Sequence, residues 1–180
     1  MKDSDMTDGE LVASCLQGCL ESYRELMGRY SGYAMTVAWN ILLHRQDAED
    51  ACQEAFLKAY RNLRSFDARR SFKNWFYALL TNLCLDHVRQ KKRGRELLNK
   101  FARENPGEMA GRPDSPSSAA AVNLDWLRPL APKERLALYL WAQEGYSGVE
   151  IAAVLGCSAN TAHVHLFRAR RKLKSAMKEG

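Results

Sequence analysis

The sequence predicts an all-α protein of two small helical domains joined by a flexible linker. Three observations carry that prediction. Apolar residues recur at steps of three and four through residues 8–95, and again from residue 122; this spacing gathers them on one face of a helix. No run shows the alternation of a half-buried strand. Between the two periodic regions, ENPGEMAGRPDSPSSAAA (residues 104–121) is rich in proline, serine and glycine and poor in apolar mass, the composition of a linker. The expected divisions are a first domain over 8–95, a linker over 96–121 and a second domain over 122–176.

Each element has a local cause. Thr7-Asp8-Gly9-Glu10 is a capping box that satisfies the orphan amides of a helix start. The stripe that follows runs through Leu11, Val12, Cys15, Leu16, Cys19, Leu20, Tyr23, Leu26, Met27 and Tyr30. A second helix covers 34–43. Asp47 caps the third, whose stripe Ala48, Ala51, Cys52, Ala55, Phe56, Ala59, Tyr60, Leu63 is unbroken. Ser71 suits the N-cap of a fourth, with Phe72, Trp75, Phe76, Leu79, Leu80 and Leu83 as its apolar face. That helix extends toward Val88 and the basic run RQKKRGR at 89–95. In the second domain, Pro132 fits the first turn of a helix ending near Gln143. Ser147-Gly148-Val149-Glu150 is another capping box, Gly156 ends the short helix it opens, and Ser158 caps the last one.

The totals narrow the function. A net charge of +6 favours polyanionic partners. No stretch approaches the roughly 18 apolar residues of a membrane span, and the polar start MKDSDMTDGE lacks the apolar core of a secretion signal. A cytoplasmic protein without membrane insertion is expected. Five scattered cysteines read as free thiols, with Cys15 and Cys19 as small core residues and no metal site. No phosphate-binding loop, zinc-ligand set or paired nucleophile and base emerges, so neither a cofactor nor catalysis is expected.

The stretch SGVEIAAVLGCSANTAHVHLFRARRKL (147–173) has the form of a helix-turn-helix. On its last helix Ala162, Leu166, Ala169 and Leu173 fall on one stripe, while Asn160, Val164, Phe167, Arg168 and Arg171 lie opposite. Asparagine, arginine and apolar groups are the types that read base edges in a major groove. Arg170, Lys172, Lys174 and Lys178 would neutralise phosphates. On the third helix, Asp47, Glu49, Asp50, Gln53 and Glu54 form an acidic surface in an otherwise basic chain. Such a patch repels DNA and suits a basic protein partner.

DAEDACQEAFLKAYRNLRSFD followed by SFKNWFYALLTNLCLDHVRQKKR resembles region 2 of the sigma-70 family, in its extracytoplasmic-function (ECF) group. LAPKERLALYLWAQEGYSGVEIAAVLGCSANTAHVHLFRARRKL resembles region 4 of the same family. The resemblance implies a sigma factor that binds core RNA polymerase and promoter DNA. It implies polymerase-clamp contacts at Asp47, Glu49, Asp50, Gln53, Glu54 and Leu57. It implies capture of the melted −10 strand by Arg64, Phe66, Asp67, Arg69, Arg70, Ser71, Lys73, Asn74 and Tyr77. Trp75 fits the core better than a base stack. Reading of the −35 element falls to Ser158, Asn160, Thr161, His163, Val164, Phe167, Arg168 and Arg171. The resemblance also implies an anti-sigma factor, seated between the two domains. The alternative is a stand-alone helix-turn-helix regulator, which would have no need of the acidic helix. One departure stands out: the family's last helix commonly carries lysine and arginine where this chain has His163 and His165, so its −35 preference is not transferable.

Overall fold

The computed structural model describes residues 6–104 and 127–176, and these contain helices and no strands. The helices are α1 (Asp8–Leu16), α2 (Leu20–Leu42), α3 (Arg45–Arg61), α4 (Phe72–Glu104), α5 (Pro132–Ala142), α6 (Gly148–Leu155) and α7 (Ala159–Ala176), with a 3₁₀ turn at Leu63–Ser65. None is long and apolar enough to cross a membrane.

Thr7 and Glu10 form the expected capping box of α1. The chain then breaks where the apolar stripe does not: Gly18 adopts φ +99°, a conformation that glycine adopts freely, and α2 begins at Leu20. From there α2 runs uninterrupted across residues 31–33, so the two helices read from the sequence as 8–30 and 34–43 are instead 8–16 and 20–42. The period of three and four survives the break, and for that reason the sequence does not show it. Cys19, read as core, lies exposed at the break, whereas Cys15 is buried.

α3 begins two residues before Asp47. His44 is its N-cap, accepting from the Asp47 amide through Nδ1 at 3.3 Å. Ser71 caps α4 by accepting from the Asn74 amide. α4 continues to Glu104, so residues 96–104, expected to belong to the linker, are helical. Alanines 34, 38, 48, 55 and 59 are fully buried and keep α2, α3 and α4 close. Phe56 stacks on Phe76 at 4.6 Å between ring centroids.

In the second half, Pro132 occupies the first turn of α5. Ser147 and Glu150 cap α6, and Gly156 closes it in the left-handed conformation at φ +60°. Ser158 accepts from the Thr161 amide to start α7. Ala162 and Ala169 bury the inner face of α7, Ala169 against Leu127 and Leu130.

The two halves pack directly on each other. α5 lies against α2 and α6 against α4, and Leu136, Leu140, Ile151, Val154 and Leu155 join the same continuous apolar core as α1–α4. One buried cation crosses the junction. Arg135 donates from Nε to the Asn40 carbonyl at 2.6 Å and from Nη2 to the Ile41 carbonyl at 2.8 Å, capping the C-terminal end of α2.

Candidate nucleic-acid interface

The helix-turn-helix presents its outer face openly. Val164 and Phe167 are 43% and 64% exposed, and Asn160, Thr161, Arg168 and Arg171 are exposed beside them. Arg171 lies 5.9 Å from the Phe167 ring centroid. Ser158 and Thr161 share a hydroxyl hydrogen bond of 2.9 Å at the helix start. The two histidines differ. The His163 ring packs so tightly on Gly148 that a Cβ there would come within 2.3 Å of Nε2. His165 is half-buried with Nδ1 unpartnered among the described residues; burial, then the neighbouring Lys133, push it below the usual histidine value. It is therefore neutral at physiological pH and adds no cation to this face.

Two expected phosphate contacts are committed elsewhere. Lys172 binds the buried Glu134 at 2.7 Å and the Pro129 carbonyl at 3.2 Å. Arg170 stacks 3.8 Å above the Trp141 ring. Lys178 lies outside the described residues.

The second region predicted to meet DNA divides in two. Arg64, Arg69, Arg70 and Ser71 are exposed on the loop before α4, and Phe66 and Asp67 are partly so. Asp67 accepts from Arg69 Nε and Nη2, each at 3.0 Å; those bonds, foremost, hold its carboxyl below the usual range. Phe66 packs on Phe72 and Trp75, with centroids 5.5 and 5.3 Å away, so Trp75 belongs to a half-exposed aromatic cluster. Lys73, Asn74 and Tyr77 behave otherwise. A helical wheel puts them on the polar face of α4, and in the fold that face meets the second half of the chain. Lys73 Nζ lies 2.6 Å from Glu144 Oε2, the Tyr146 hydroxyl donates to Asn74 Oδ1 at 2.6 Å, and Tyr77 is fully buried. Burial, foremost, pushes the Tyr77 phenol far up, so it stays neutral.

The acidic helix α3 shows Asp50, Gln53, Glu54 and Leu57 to solvent, with Glu49 partly covered. Asp47 does not join them. Its side chain is 15% exposed, bound by Lys91 and 3.9 Å from His87, which ties α3 to α4. Burial raises its carboxyl, but the bond from Lys91 and the surrounding positive charge outweigh that and lower it.

Of the apolar half of this surface, the sequence points to Leu57 alone; the contribution of α2 is not read from it. A groove of about 670 Å³ runs between α2 and α3. Leu20, Met27, Leu57 and Tyr60, all at least 37% exposed, line it with Met35 and Phe56. The signal was present: the stripe from Leu11 to Tyr30 carries more apolar positions than one neighbouring helix covers. Among the described residues, no cluster of three or more His, Cys, Asp or Glu could hold a metal ion.

Comparison with known proteins gives this geometry its context. The model of Sigma-70 region 2 matches residues 23–94, and that of Sigma-70 region 4 matches residues 127–173. The ECF RNA polymerase sigma factor SigE of Mycolicibacterium smegmatis is 29% identical over 97% of this chain and 69% of its own length. The ECF RNA polymerase sigma-E factor of Haemophilus influenzae is 26% identical over 94% of this chain and 95% of its own. Among solved structures, CnrH in complex with the cytosolic domain of CnrY superposes with a TM-score of 0.68 at 25% identity, covering 96% of this chain and 97% of that one. Two family models in the family's order, on a helical fold with an open helix-turn-helix face, place this chain in the sigma-70 family as an ECF-type sigma factor.

Proposed function

We propose that this sigma factor acts through three separate surfaces, those that its family resemblance implies. The groove between α2 and α3, with its acidic rim at Glu49, Asp50, Gln53 and Glu54, binds the clamp of core RNA polymerase. Exposed apolar area beside the carboxylates of Asp50 and Glu54 suits a partner that is apolar at its centre and basic around it. The loop from Arg64 to Ser71, with Lys73, Asn74 and Tyr77 of α4, takes the melted −10 strand. Cations follow its backbone and the partly exposed Phe66 ring offers a face on which a base can stack. The outer face of α7 reads the −35 duplex. Residues 8–95 and 122–176 are the working domains, 96–121 the connection between them. The factor works by binding, in the cytoplasm.

The observation that carries this reading is the pairing on one chain of an open α7 face with the α2–α3 groove. A stand-alone regulator would need the first and have no use for the second. CnrH was solved with the cytosolic domain of CnrY; for this chain an anti-sigma partner is proposed. An inhibitor seated between the halves would first have to part α5 and α6 from α2 and α4.

The test is single-round transcription by core RNA polymerase on a randomised promoter library, with and without this protein. Protein-dependent starts sharing two spaced elements are expected. DNA binding without polymerase association or new starts would overturn the reading.

A further inference from the structure

We propose that the free chain adopts a closed state in which its own second half masks the strand-binding face of α4, with Glu144 and Tyr146 as the latch. The inference rests on the assignment of Lys73, Asn74 and Tyr77 to the −10 strand.

Lys73 and Asn74 are engaged by one short segment, the connection from α5 to α6, and Tyr77 lies buried beside them. Glu144 is 8% exposed at its side chain and sits on the Lys73 ammonium. A carboxylate there takes the place of a DNA phosphate, since both are anionic oxygens that accept from the same cation. Its second oxygen accepts from the Tyr139 hydroxyl at 2.7 Å, so the carboxylate is held at both ends. Tyr146 occupies Asn74 Oδ1, a group that would otherwise meet a base edge. The Tyr33, Tyr77 and Tyr146 rings surround Lys73 Nζ at 5.1, 5.6 and 5.5 Å from their centroids, within cation–π reach. An aromatic, anionic cage around a lysine copies what a nucleotide offers: a ring face and a charged oxygen.

The masking is selective. The loop arginines Arg64, Arg69 and Arg70 and the outer face of α7 stay exposed. In the closed state the −35 surface is available while the deeper part of the −10 surface is not. The apolar contact that Leu136 and Leu140 of α5 and Val154 and Leu155 of α6 make with the core of the first half holds the halves together. The polar latch determines which face of α4 they cover, because Lys73 and Asn74 would otherwise lose their water without replacement partners. Polymerase binding and a DNA strand would compete for these groups, and opening would free them.

The experiment uses the full chain carrying Glu144→Ala with Tyr146→Phe, and Glu144→Gln alone as a milder variant that keeps the packing. Amide hydrogen exchange at residues 72–78 reports opening without reference to DNA. Binding to a randomised single-stranded DNA pool reports unmasking. Loss of one ion pair and one hydrogen bond should raise exchange there about tenfold and tighten strand binding by a similar factor, and less for Glu144→Gln. Adding Lys73→Ala with Asn74→Ala should remove the gain. Unchanged exchange and binding in both variants would overturn the latch. The −10 assignment would still be judged separately, by transcription with Lys73→Ala holoenzyme. Faster exchange with no gain in strand binding would overturn the −10 assignment, and the masking with it.

Discussion

Arg135 offers the sharpest test of how the two halves are joined. It is 6% exposed, and its guanidinium donates to the carbonyls of Asn40, Ile41 and Leu130. Arg135→Met keeps the stem and removes the donors. Three carbonyls then lose their partner, at about 1–2 kcal/mol each, so roughly 3–6 kcal/mol. Against this, burial pushes the guanidinium down to about 10, which corresponds to a desolvation penalty of about 3 kcal/mol that the methionine escapes. The net loss expected is about 2 kcal/mol. With a urea slope of about 2 kcal/mol/M, the unfolding midpoint falls by about 1 M. Tryptophan fluorescence reads the transition in both halves, since Trp39 and Trp75 lie in the first and Trp126 and Trp141 in the second. One transition is expected in the native protein, because the core is continuous, and Arg135→Met should lower it as a whole. Arg135→Lys should recover little, since one ammonium cannot fork toward three carbonyls. A midpoint at or above that of the native chain would refute the accounting, and two separated transitions in the native protein would refute the shared core.

Three further outcomes follow from the surfaces described. Leu57→Asp, at a position 59% exposed, should weaken polymerase binding about a hundredfold while leaving the unfolding free energy within about 0.5 kcal/mol of native; equal affinity would remove Leu57 from the interface. Arg171→Ala should cost about 1–3 kcal/mol on promoters found by selection and relax preference at one −35 position. A uniform loss on all sequences would assign it to phosphate instead. The third outcome concerns acid. Burial raises the Glu134 carboxyl, but bonds from Lys172 and the Ala131 amide outweigh this and lower it. Its folded value thus lies below its unfolded one, so its contribution is present above about pH 4.5 and is lost as pH falls through the depressed folded value. Stability followed from pH 7 to 3 should decline below that point, and Glu134→Gln should blunt the decline; an identical decline in both would exclude it.

The elements legible in the sequence were those with chemical punctuation. The Ser147–Glu150 box, Gly156 and Ser71 each fix a helix end through one side chain or one backbone conformation, and each stands where it was read. The break at Gly18 was not legible, because the stripe keeps its period across it while the chain turns. Residues 96–104 fall outside the first domain because the motif resemblance ends at Arg95, although Leu97, Leu98 and Phe101 keep helical spacing there. The α7 face was legible because Phe167 opposes the core stripe on its own helix, and no neighbour is needed to see that. The α2–α3 groove was only half legible: its acidic rim lies on one helix, whereas its apolar floor is assembled from two.

The junction at α4 shows where such reading stops. A wheel tells polar from apolar, and Lys73 and Asn74 are polar, so they were placed toward solvent and DNA. Their partners here are Glu144 and Tyr146, seventy-one and seventy-two residues away. A phenol ring suits a base stack and a buried helix contact equally, being apolar on its face and polar at its tip. A lysine accepts a carboxylate as readily as a phosphate. Tyr77 sits four residues from Lys73 on the same side of α4, so whatever covers one covers the other. The sequence therefore marks a face built to receive an anion and a ring. Which anion and which ring is decided by the packing of Leu136, Leu140, Val154 and Leu155 against the first half, because that contact brings Glu144 and Tyr146 within reach before any strand arrives.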